Sequence, residues 1–71
     1  MLFDENIEIN FELPKYLKEN IERLIKAREE KRLDIDCEEE ELISNINSAY
    51  YSKKITEDQA HLLRKKYLWW N

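Results

Sequence analysis

Lys53-Lys54-Ile55-Thr56-Glu57-Asp58-Gln59-Ala60 is the stretch whose reading decides the fold. Thr56 followed by Gln59 has the spacing of a capping box. In that motif the threonine hydroxyl and the glutamine side chain each satisfy a backbone N–H that a helix start leaves unpaired. Ile55 and Ala60 hold the two apolar positions of the hydrophobic staple that frames such a box. A helix is therefore predicted over 57–69. The two lysines before the cap suit the negative end of a preceding helix. The chain thus reads as a helical hairpin that turns near 52–55.

Upstream of the turn, Leu42, Ile46, Ala49 and Tyr50 recur at helical spacing, with Ile43 at the edge of the stripe. They predict a second helix over 37–52. Asp36 and Glu39 supply a start signal, and the four glutamates from Glu38 to Glu41 would complement the positive end of the helix dipole. Further back, Pro14 opens a first helix over 14–32, because its missing N–H costs nothing at the first helical position. Leu17, Ile21, Leu24 and Ile25 share one face of it, and Glu19–Arg23 and Glu22–Lys26 are spaced as ion pairs on another.

Residues 1–13 follow a different period. Ile7, Ile9, Phe11 and Leu13 alternate with Glu8, Asn10 and Glu12, the pattern of an extended or β segment with one apolar face. The chain offers that segment no partner strand, so it is expected to lie across the helices or to pair with another copy. The fold class read from the sequence is all-α: a three-helix bundle over 14–71 with an extended N-terminal arm over 1–13.

Composition points the same way. The 71 residues include no glycine and one proline, which disfavours turns with positive φ and phosphate-cradling loops. Charged residues make up 39%, well above the roughly 25% of an average globular chain, so little neutral surface remains. The charges come in blocks. Residues 14–33 carry seven bases and four acids, whereas 34–52 carry six acids and no base. Blocks of opposite sign on neighbouring helices are expected to neutralise each other. A lone cysteine, Cys37, rules out an internal disulfide and favours a reducing compartment. With no signal-like start and no long apolar run, the expectation is a soluble, cytoplasmic chain without a membrane segment.

No catalytic constellation is legible. His61 is the single histidine, and Glu57 four residues before it suits a helix-surface pair better than a dyad, since no nucleophile accompanies them. Cys37 falls in a helix start that would lower its pKa, but the neighbouring glutamates oppose a thiolate. One cysteine and one histidine make no zinc set, and Glu38 to Glu41 lack the spacing and glycine of a calcium loop. The expectation is therefore no enzyme, no metal and no cofactor. On the third helix, Ala60, Leu63, Tyr67 and Trp70 form the natural core face, and Leu62 and Trp69 fall nearly opposite, flanked by Lys65 and Lys66. Either the arm covers this second face or the third helix is the central element of the bundle, or else Leu62, Lys65, Lys66 and Trp69 form an exposed aromatic-and-basic patch, with Tyr51 as a further exposed aromatic on the second helix.

The run Leu42-Ile43-Ser44-Asn45-Ile46-Asn47-Ser48-Ala49-Tyr50-Tyr51, followed by Ile55 to Ala60 and Leu63-Arg64-Lys65-Lys66-Tyr67-Leu68, resembles small uncharacterised proteins encoded on conjugative transposons of clostridia and related bacteria. The resemblance covers the C-terminal half. It implies a bacterial cytoplasmic protein that accompanies a mobile element, and it carries no activity or site residues with it.

Three functions compete on this reading. The first is a protein-interaction or accessory module that docks a protein partner, or a second copy, through the third helix and the arm. The second is a helix-turn-helix-like regulator whose Arg64, Lys65 and Lys66 touch nucleic-acid phosphates. A net charge of −4 and the position of these bases late in the helix count against it. The third is an acidic mimic of nucleic acid built on Asp34, Asp36 and Glu38 to Glu41.

Overall fold

The computed structural model describes residues 3–68 and shows a three-helix bundle. Helix α1 spans Lys15–Glu29, α2 Ile35–Tyr51 and α3 Glu57–Tyr67. Among the described residues there is no strand: the N-terminal arm is irregular. Helix α2 is the central element and packs against both other helices. The core is one cluster. Leu17, Ile21 and Leu24 of α1 meet Leu42, Ile46 and Ala49 of α2, and Ala60, Leu63 and Tyr67 of α3 close it with Ile55 from the turn. Trp70, expected on the same face, lies outside the described residues.

Each helix end has an identifiable cause. The box at α3 forms as read. Gln59 N–H donates to Thr56 Oγ1 at 3.1 Å, and Thr56 N–H donates to Gln59 Oε1 at 2.9 Å. Ile55 and Ala60 are buried beside it, so cap and staple act together. At the start of α1, Pro14 stands just before the first helical residue, and its carbonyl accepts from the Leu17 and Lys18 N–H groups.

Helix α2 begins two residues before the expected start. Asp34, not Asp36, holds the cap position, and the Glu38 N–H donates to the Asp34 carbonyl. Asp36 and Glu39 are thus inside the helix and form no box. The Asp34 side chain makes no cap bond either, because Arg32 holds it through Nε and Nη2 at 3.0 and 2.5 Å. That two-residue clamp turns the chain and lets α1 end at Glu29, short of the expected Arg32.

The lack of glycine does not prevent positive φ. Lys31 and Lys53 take φ of 53° and 64°, each just beyond a helix end. Arg32 N–H reaches the Ala27 carbonyl and Lys31 N–H the Arg28 carbonyl. Lys54 N–H likewise reaches Ala49, and Lys53 N–H reaches Tyr50. Both turns are Schellman motifs with lysine where glycine is the usual choice. The hydrogen bonds offset the crowding of a Cβ in the left-handed region, which costs about 1–2 kcal/mol per residue.

Two consequences are measurable. Replacing Lys31 or Lys53 by Gly should raise the stability in a denaturant melt by about 0.5–1 kcal/mol, whereas Ala at either position should give no gain. Thr56→Ala should cost about 1 kcal/mol in the same assay through loss of the cap.

Candidate functional site

The seam between α1 and α2 is where the two charge blocks meet. Arg23 reaches Glu38 at 3.3 Å and Glu41 at 3.0 Å, and Arg28 reaches Glu39 at 2.7 Å. Arg23 therefore turns to α2 instead of pairing with Glu19 on its own helix. The reason is that α2 presents three carboxylates along the facing edge. Below this ion-pair row lies a buried polar chain. Asn20 donates its Nδ2 to the Glu38 side chain at 3.2 Å and to the Glu38 carbonyl at 3.3 Å, and its Oδ1 accepts from Asn45 Nδ2 at 2.9 Å. Among the described residues no buried side-chain polar atom lacks a partner. Asn20 and Glu38 thus sit in the interior at low cost and fix the register of the helices.

The third-helix residues singled out from the sequence do not form one exposed patch. Lys66 is 8% exposed: its ammonium donates to the Ile7 carbonyl and lies over the Phe3 ring at 5.0 Å. Of the alternatives for this face, the burial of Lys66 rules out the exposed patch and matches coverage by the arm. A cation whose stem lies along apolar surface can bury when a carbonyl and an aromatic face receive its head. Burial, in turn, holds the Tyr67 hydroxyl above its ordinary pKa. Phe3, Ile9, Phe11 and Leu13 of the arm pack against the core. Leu62 is half-buried and Lys65 exposed. Trp69 lies outside the described residues. Arg64 donates from Nη2 to Asn47 Oδ1 at 2.6 Å. Tyr51 is 79% exposed, its ring 5.2 Å from that of Tyr50. Tyr51 closes α2, whereas Lys65 lies in the last turn of α3. The two are separate surface features.

Besides Tyr16, two further exposed apolar side chains escaped the sequence reading. Leu33 is 103% exposed, standing at the tip of the turn that the Arg32–Asp34 clamp holds. Ile43, read as the edge of the inward stripe, is 44% exposed. Ile43 could have been found from the helical wheel, since it lies about 100° from Leu42. Leu33 carries no sequence signal, because any loop leucine reads the same.

Cys37 is exposed in the first turn of α2. Among the described residues no group of three or more His, Cys, Asp or Glu side chains is arranged to hold a metal ion. None of the described helices is long and apolar enough to cross a membrane. No protein-family model, no curated protein and no solved structure matches the chain.

The Arg32 clamp has a pH signature. The hydrogen bond from its guanidinium holds the Asp34 carboxyl below the ordinary aspartate range. A depressed carboxyl contributes stability above the ordinary pKa and loses it as pH falls through the depressed one. In an NMR titration Asp34 should ionise below the ordinary aspartate value, and Arg32→Ala should bring its midpoint up to that value.

Proposed function

We propose that the protein is a non-catalytic protein-interaction module, an accessory factor that acts by docking a protein partner. The observation that carries this reading is the division of its side chains. All four arginines bond within the chain, as do four of the six acids of the 34–52 block, while Leu33, Ile43 and Tyr51 stand exposed. Large apolar groups at the surface and arginines engaged internally suit recognition of another protein better than recognition of phosphates.

The helix-turn-helix alternative has less support. Of its three phosphate-binding residues, Arg64 is held by Asn47 and Lys66 lies under the arm, which leaves Lys65. The acidic mimic loses ground in the same way, since Asp34, Glu38, Glu39 and Glu41 each meet an arginine. A role beside a bacterial mobile element, implied by the resemblance of the C-terminal half, remains part of the proposal and would make the partner another product of that element.

The test pairs two measurements. A photo-crosslinking amino acid at Leu33 or Tyr51 should give discrete protein adducts in the producing cell, and one at exposed Glu22 should not. Amide shifts on adding duplex or single-stranded DNA at low salt should be absent. Shifts at Lys65 that vanish with salt, with no adduct at either apolar position, would overturn the reading in favour of nucleic acid.

A further inference from the structure

Asp36, Glu40, Ile43, Asn47 and Tyr51 follow one another at spacings of four, three, four and four, so they form a single line along α2. The line faces away from the Leu42–Ile46–Ala49 core stripe. It holds two of the exposed large apolar side chains, Ile43 and Tyr51. Its charges are polarised. Asp36 and Glu40 at the N-terminal end are exposed and meet no base among the described residues. Directly after the C-terminal end come Lys53 and Lys54, exposed and likewise without an ion pair.

A surface that is acidic at one end and basic at the other, with Ile43 and the Arg64-bonded Asn47 between, is complementary to itself when turned end for end. We propose that α2 is a self-association surface: two copies pair antiparallel through this line, about a two-fold axis near Ile43. Asp36 and Glu40 of one copy then face the Tyr51, Lys53 and Lys54 end of the other, and the same contact repeats by symmetry. Ile43 lies near the axis of the pair. Beside it the exposed Ser44 and Ser48 are small enough to let the helices approach. The antiparallel arrangement also sets the two helix dipoles head to tail. This inference rests on the interaction-module reading and names the partner as a second copy.

One helix face about 25 Å long buries less than the ~800 Å² per partner of a standard interface, so the dimer is weak and salt-sensitive. Sedimentation of the full chain from about 10 µM to about 1 mM should show a monomer–dimer equilibrium that weakens on adding salt. The decisive arm uses two charge-reversed variants. Asp36→Lys with Glu40→Lys makes both ends of the line basic, and Lys53→Glu with Lys54→Glu makes both ends acidic. Each variant alone should associate at least about tenfold more weakly than the parent, because like charges now face each other. An equimolar mixture should recover the dimer as a heterodimer, since each basic end then meets an acidic one. Circular dichroism confirms that each variant is folded, and Ile43→Asp, whose charge lies near the axis, supplies a second disruption if a reversed variant is not.

A parent chain that stays monomeric at the highest concentration overturns the proposal. So does a mixture of folded variants that associates no better than its components. If the parent is monomeric yet still yields crosslinked adducts at Leu33 or Tyr51, self-pairing fails and the interaction module stands. If neither is seen, both fail.

Discussion

Glu38 is the residue on which the α1–α2 pairing turns. Its side chain is nearly buried, which is costly for a carboxylate in the absence of donors. Asn20 and Arg23 supply those donors from α1, at distances that hold only in one register. Sliding either helix by a turn would leave a buried carboxylate and a buried amide unsatisfied. The apolar contacts around Leu17, Leu24, Leu42 and Ile46 supply the driving force. They tolerate a shift far better than the polar chain does. Burial makes the hairpin compact, and the Asn20–Glu38–Asn45 chain makes it one structure.

The same pairing settles what the charges do. A chain with 39% charged residues could present a strong field to a partner. Instead, the basic block of α1 and the acidic block of α2 face each other, and the long-range field is reduced. What remains outside is a mixture: exposed charges of both signs, Lys15, Lys18, Glu22, Lys26, Glu57, Asp58 and Lys65 among them, the two acids and two lysines at opposite ends of α2, and a few apolar side chains. Such a surface has little to offer a polyanion. It has enough shape and polarity to recognise a protein, and its end-to-end asymmetry fits a second copy of itself.

The candidate surface was only partly legible in the residues. Tyr51 was, because a helical wheel places it opposite the core stripe. For Lys66 the wheel left two readings open, a covered face or an exposed patch, and its burial under the arm decides for the first. The Asp4 N–H donates to the Lys66 carbonyl, and the arm beyond it brings the Ile7 carbonyl to the lysine head. The alternation in residues 1–13 announces an arm lying across the helices, but not which carbonyl meets which side chain. Ile43 was placed at the edge of the buried stripe, and its offset of about 100° from Leu42 leaves it half in solvent.

The local signals were strong enough for the sequence by itself to determine the helices, their order and the turn between the second and third. The Thr56–Gln59 box acts within four residues, and the apolar spacing of each helix acts within its own length. Helix ends that depend on side chains across a turn were beyond it. Arg32 takes Asp34 from its cap, and Lys31 and Lys53 enter left-handed turns because carbonyls at Ala27, Arg28, Ala49 and Tyr50 are there to accept their turns' N–H groups. Only the tertiary structure decided which charges meet, which polar groups are buried and which apolar groups stay out. Those outcomes depend on distances between residues far apart in the chain, such as the 18 positions separating Asn20 from Glu38. Spacing along one helix does not encode the distance across two.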